Sequence, residues 1–223
     1  GLFYFRDHKI NYPLINFALF KIKTFTFGNL AVMMAYMAMF TNSILLPFFL
    51  QEIQGYNPMV AGLLILSYSL VLSVVAPIAG RLSGKYGSRY LTLSGASVYC
   101  VALFLFVIFS KNAPMWQIVL ASGIMGVGNG LFQSPSNNAI MTSVEKSELG
   151  IASGILALSR NLGNILGVAV TITLFDTFRN IFLADGKVYE TAFMYSYRLT
   201  MGFGILFGLT CLTFAYFAYK KQF

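Results

Sequence analysis

The sequence predicts an all-α polytopic membrane protein with six transmembrane helices. Composition comes first: of 223 residues, 57% are apolar and only 10% are charged, where soluble domains carry roughly 25% charged residues. Mean hydropathy is +0.73. Second, uncharged runs long enough to cross ~30 Å of hydrocarbon, about 20 residues each, recur along the chain. Third, the cations gather in the short segments between those runs. The net charge of +8 is therefore a topology signal. No Lys/Arg-dense run with interleaved aromatics occurs, which excludes a nucleic-acid partner. Cys100 and Cys211 lie in apolar runs without C-x-x-C spacing. They read as buried free thiols, and neither a metal nor any other cofactor is implied.

In chain order, Gly1 to Phe5 is apolar and reads as the tail of a preceding membrane helix. A charged loop around His8 follows. Pro13 to Lys23 then has the pattern of a short amphipathic helix lying at the inner surface. Residues 1–24 thus lead into a six-helix domain, 25–219, with a cytoplasmic tail at 220–223. The first span is expected from Thr26 to Leu50. Its methionines suit generic packing, while Tyr36 and Asn42 add polarity at depth. Pro47 is tolerated near its outer end if neighbouring groups satisfy the freed carbonyl. An outer loop without cations, Gln51 to Pro58, precedes a second span expected from Pro58 to Ala79.

Gly80-Arg81-Leu82-Ser83-Gly84-Lys85-Tyr86-Gly87-Ser88-Arg89 carries three cations and three glycines. Glycine spacing of this kind reads as a tight basic connection rather than a helix, and such a loop faces the cytoplasm. The third span is expected from Tyr90 to Phe109, with Trp116 anchoring the next interface.

The fourth span falls within 112–144. Gly126, Gly128 and Gly130 allow close helix contact. Positions 126, 129, 133 and 137 share one helical face. Amides facing lipid are costly, so Gln133 and Asn137 look at protein or at a water-filled cavity. Interhelical hydrogen bonding and cavity lining both satisfy that demand. The fifth span, expected from Leu149 to Phe175, holds Arg160 about 16 Å deep, close to the bilayer midplane. A central Arg costs from ~3 to well over 10 kcal/mol and needs partners or water. It is a functional candidate by default, with a structural Arg bonded to backbone carbonyls as the alternative. Asn164 shares its face, and Gly163 and Gly167 form a G-x-x-x-G contact beside it. The sixth span is expected from Tyr195 to Tyr219. Cation counting then puts both ends of the segment in the cytoplasm, with Lys111, Arg179 and Lys187 outside.

Several blocks resemble the major facilitator superfamily. Gly80, Leu82, Lys85, Gly87 and Arg89 fit its loop signature, roughly G-x-L-x-D-R-x-G-R-R. Gly84 stands where the family usually has Asp, a residue associated there with latching one conformation. Pro47-x3-Gln51-x3-Gly55-Tyr56-Asn57-Pro58-x2-Ala61-Gly62 is similar to the outer turn of 14-helix drug:proton antiporters of the EmrB/QacA type. So are Gly126-x-Gly128-x-Gly130-x4-Pro135-x-Asn137-x-Ala139 and Ala152-Ser153-Gly154-x5-Arg160-Asn161-x-Gly163-x3-Gly167. The resemblance covers nearly the whole chain, but only the C-terminal six-helix half of that family.

The resemblance implies half of a major facilitator fold, a three-plus-three inverted repeat, in the inner (plasma) membrane. It implies proton-coupled export of small lipophilic or cationic compounds by alternating access. In that family the acidic coupling residue lies in the N-terminal half, which would be the partner of this segment besides lipid, substrate and protons. Tyr36, Asn42, Gln133, Asn137, Arg160 and Asn164 are the expected cavity-lining residues. Gly80, Arg81, Lys85, Gly87 and Arg89 are the expected gate loop. A same-fold exporter of a metabolite, lipid or siderophore is the nearest alternative, and a dimeric six-helix scaffold is another. An intramembrane enzyme would need carboxylates, His or Ser–Lys groups at depth, which the spans do not provide.

Overall fold

The computed structural model describes residues 17–220. The preceding-helix tail, His8 and most of the expected amphipathic helix lie outside the described residues. Of that helix, only a single 3₁₀ turn, Phe17–Lys21, is described.

Six helices long and apolar enough to cross a membrane follow. They are α1 (Lys23–Phe48), α2 (Pro58–Tyr86), α3 (Ser88–Val107), α4 (Met115–Thr142), α5 (Leu149–Ala184) and α6 (Tyr189–Tyr219). Pro47 does not break α1. The chain widens instead into one π turn, Phe49–Ile53, where the Gln54 N–H donates to the Phe49 carbonyl at 3.1 Å. The turn into α2 explains the motif that spans it. Gly55 takes φ 69°, a left-handed value suited to glycine. Asn57 Oδ1 accepts the Val60 N–H at 2.8 Å as an N-cap, and Pro58 opens the helix. Gln54 Nε2 then donates to the Ala113 carbonyl at 3.0 Å, tying the α1–α2 turn to the α3–α4 turn.

The packing repeats itself. Helices α2 and α3 both pack on α4, while α5 and α6 both pack on α1; α3 meets α6, and α1 touches α4. Exchanging the first triplet for the second returns the same set of contacts, as a three-plus-three inverted repeat requires. Small residues seat the outer helices. A Cβ at Gly126 would stand 2.6 Å from the Tyr68 carbonyl of α2, and one at Gly163 would stand 2.5 Å from the Met33 carbonyl of α1. The α3–α4 end of the bundle is filled by aromatics, with Phe49 and Tyr197 at 5.2 Å and Phe175 and Phe193 at 5.0 Å between centroids.

Two sequence expectations are corrected. The basic stretch 80–89 is not a loop: α2 continues through Gly80, Arg81 and Lys85 to Tyr86, and α3 begins at Ser88 with Arg89 in its first turn. Only Gly87, at φ 83°, lies between them. Gly80 and Gly84 are four residues apart, a helical spacing as well as a turn-like one. Gly80 serves close packing, since a Cβ there would meet Ser134 Oγ of α4 at 2.7 Å. The hairpin between α5 and α6 is also longer than read. Helix α5 runs past Phe175 to Ala184, held by an Asp176–Arg179 ion pair at 2.7 Å across one turn. Helix α6 starts at Tyr189, six residues earlier than Tyr195.

Candidate functional site

Polar side chains in a membrane helix are placed by what can satisfy them. Tyr36 sits about 20 Å along α1, and Gln133 of α4 donates its amide N–H to the Tyr36 hydroxyl. The same tyrosine rests against α5, where its Cβ lies 2.8 Å from the position a Gly163 Cβ would take. Glycine at 163 is what admits the α1 backbone and the Tyr36 Cβ. One side chain therefore connects α1, α4 and α5 near mid-bundle.

A second set lies beside it. Asn129 Nδ2 of α4 donates to the Tyr68 hydroxyl of α2 and approaches Met39 Sδ of α1 at 3.5 Å. Tyr68 Oη also stands 3.5 Å from Met39 Sδ. Toward the α1–α5 seam, Ser159 Oγ donates to Asn29 Oδ1 at 3.2 Å, while Asn29 Nδ2 bonds the Phe25 carbonyl at 2.8 Å. Thr171 Oγ1 donates to Thr41 Oγ1 at 3.0 Å. These bonds satisfy both partners and read as structural.

Eight buried side-chain atoms lack a hydrogen-bond partner among the described residues, and Asn42 Oδ1, Tyr99 Oη, Ser122 Oγ, Tyr197 Oη and Thr200 Oγ1 are five of them. The other three are Arg160 Nε, Asn164 Oδ1 and Asn137 Oδ1. Arg160 and Asn164 flank Gly163 on α5, next to the Tyr36 contact. Asn137 lies one helical turn from Gln133 on α4. A buried unpaired polar atom costs about 1–3 kcal/mol. At each of these atoms a polar ligand, a water or a facing protein group is favoured.

Of the residues expected from sequence, Gln133 bonds to Tyr36 and Tyr36 packs on Gly163, while Arg160, Asn164 and Asn137 each carry a buried atom without a partner among the described residues. Asn42 lies further along the same α1–α4 pair, and its Oδ1 is likewise buried without a partner among the described residues. It is 6% exposed, two turns along α1, and its Nδ2 approaches Met125 Sδ at 3.2 Å inside the core. Of the expected gate residues, Arg81 and Lys85 are exposed at the end of α2, where cations favour the helix dipole. Sequence reasoning missed Tyr68 and Met39 as partners of Asn129. The available signal was a lone tyrosine hydroxyl in mid-span, which must find a partner when shielded from water.

A family model described as Major Facilitator Superfamily matches residues 29–221. The chain is 31% identical over 195 residues to the riboflavin transporter RibZ of Clostridioides difficile, covering 86% of this chain and 43% of that protein. It is 30% identical over 170 residues to the multidrug resistance protein Stp of Mycobacterium tuberculosis, covering 76% of this chain and 32% of that one. The lincomycin resistance protein LmrB of Listeria monocytogenes is 25% identical over 187 residues, covering 84% and 40%. The chain thus spans less than half the length of these curated relatives. Its six helices, their repeat and the family match agree, and the chain belongs to the major facilitator superfamily of membrane transporters.

Proposed function

We propose that the chain is the C-terminal six-helix half of a proton-coupled multidrug exporter of the 14-helix antiporter type, working by alternating access in the plasma membrane with both segment ends cytoplasmic. The observation that carries this reading is the buried Arg160 Nε, without a partner among the described residues, on α5, the helix that Tyr36 of the Tyr36–Gln133 bond packs against. Relatives named for multidrug and lincomycin resistance support the substrate class, small lipophilic or cationic compounds.

A guanidinium is a fixed hydrogen-bond donor and not a proton carrier. Arg160 can pair with a carboxylate from the rest of the polypeptide. Protonation would release the pair, and a cationic substrate would then exchange with the proton at the carboxylate. Gln133, Asn137 and Asn164 supply hydrogen bonds that tolerate varied ligands, while Gly80 to Arg89 forms the cytoplasmic edge of the gate as a helix-turn-helix.

The test is efflux of a lipophilic cation by the full polypeptide carrying Arg160→Ala. Export should be lost or redirected with membrane insertion intact, and Arg160→Lys should rescue only in part, because a point charge cannot replace the planar fork. Normal export by Arg160→Ala removes the centre of the site. A second reading, transport of riboflavin or a similar metabolite, is favoured by the relative of that name and by the amide-rich face. Riboflavin movement that the lipophilic cation does not inhibit would select it.

A further inference from the structure

At the α3–α4 end the hairpin of α5 and α6 projects past the neighbouring turn. Helix α3 ends at Val107, and Arg198 Nη2, nine residues into α6, donates to the Phe109 carbonyl at 3.1 Å. Trp116, 64% exposed in the first turn of α4, marks the same level as the membrane–water boundary. Here a cavity of about 290 Å³ opens between the α3–α4 turn and α6. Ser110, Lys111, Glu190, Thr191, Tyr195 and Arg198 line it.

Its charge is uneven. Its lining holds two cations, Lys111 and Arg198, and one carboxylate, Glu190, and the Lys111–Glu190 pair at 3.3 Å is about 60% exposed on both sides. Such a pair contributes little and yields to a stronger ligand. Arg198 spends one donor on the Phe109 carbonyl and keeps further N–H groups for an anion. Ser110 and Thr191 add hydroxyls. Below the cavity the surface becomes apolar: Leu199 and Leu206 continue the Tyr195 stripe down α6, and Val101, Phe104 and Ile108 are exposed along α3. A site with one surplus positive charge at the interfacial level, above an apolar stripe, is complementary to one phosphodiester carrying two acyl chains.

We propose that this cavity binds the headgroup of an anionic glycerophospholipid, phosphatidylglycerol being the simplest, with the phosphate between Lys111 and Arg198 and the chains along α3 and α6. Both helices belong to the triplets' last members, away from the Tyr36–Gln133 site, so the inference does not depend on the transported substrate.

The experiment takes the full polypeptide in detergent micelles and measures retained lipid by native mass spectrometry after exchange with equal phosphatidylglycerol and phosphatidylcholine. Phosphatidylglycerol should be retained at least fivefold over phosphatidylcholine. Lys111→Glu should abolish the preference, and Arg198→Ala should do the same, whereas Lys146→Ala at the opposite end should leave it. Because Arg198→Ala also removes a bond to the α3 end, Lys111→Glu, a change at an exposed position, decides if that variant fails to elute as a folded species. Equal retention of the two lipids, or a preference that survives Lys111→Glu, overturns the proposal. Displacement of the lipid by millimolar inorganic phosphate overturns it too, since that would make the cavity a soluble-anion site.

Discussion

At the scale of single residues, the bundle rests on positions where a methyl group has no room. Gly163→Ala places a carbon 2.5 Å from a backbone oxygen that cannot swing away. Overpacking of this sort destabilises by about 1–3 kcal/mol, which a thermal unfolding scan in detergent should register. Gly62→Ala is the matched control. Nothing lies within 4 Å of its Cβ position, and alanine in a helix is favoured by up to about 1 kcal/mol, so that variant should unfold at the same temperature or higher. Tyr36→Phe removes the acceptor of the Gln133 amide while keeping the ring and the Cβ packing on Gly163. It should lower stability by about 1–3 kcal/mol if the amide is left unpaired. Transport should fall further than stability does, measured as initial efflux rate per folded protein. Equal losses would make the bond purely structural. Residues of this kind were partly legible in the sequence. Arg160 and Gln133 announced themselves because charge and amides at depth demand partners. Asn42 did so equally, and its meeting with Met125 was not legible, because sequence pattern gives depth along a helix but not which neighbour faces it.

At the scale of elements, the spans themselves followed from hydropathy, since an apolar run of sufficient length has few other stable outcomes. The ends did not. The basic stretch 80–89 was readable as a loop because glycines permit one, but Gly80 is occupied in packing against Ser134 and the helix persists to Tyr86. Likewise α5 continues through Asp176 and Arg179, a charged pair that hydropathy reads as the close of a span. Orientation is testable here. Single cysteines at Gln54, Lys111 and Gly186, placed in the turns of one end, should react with an impermeant maleimide from outside the cell. Cysteines at Gly84 and Ser147 should react only after permeabilisation. Ser83 is a poor probe, being 4% exposed. Outside labelling at Gly84 would invert the proposed topology and move the gate to the other face.

At the scale of the whole molecule, the two triplets form one repeat whose first helices, α1 and α4, carry the cross-bundle bonds. Symmetry of this kind places a site at the repeat interface, and the Tyr36–Gln133 bond lies there. A proton-driven cycle further needs a group that loads and unloads protons at depth. Among the described residues, Glu52, Glu145, Glu148, Asp185 and Glu190 lie in turns or within the first or last turn of a helix. Asp176 stands about 40 Å along α5, beyond one hydrocarbon thickness from its start. If the cycle is proton-driven as proposed, the coupling group is expected outside the described spans. The direct measurement is uptake of a lipophilic cation into proteoliposomes under an imposed pH gradient, comparing residues 1–223 alone with the full polypeptide, both verified as folded by tryptophan and circular-dichroism signals. Vesicles with the full polypeptide should accumulate the cation, and vesicles with residues 1–223 alone should not. Gradient-dependent accumulation by residues 1–223 that collapses with an uncoupler would contradict the half-transporter reading and place the proton carrier within these six helices.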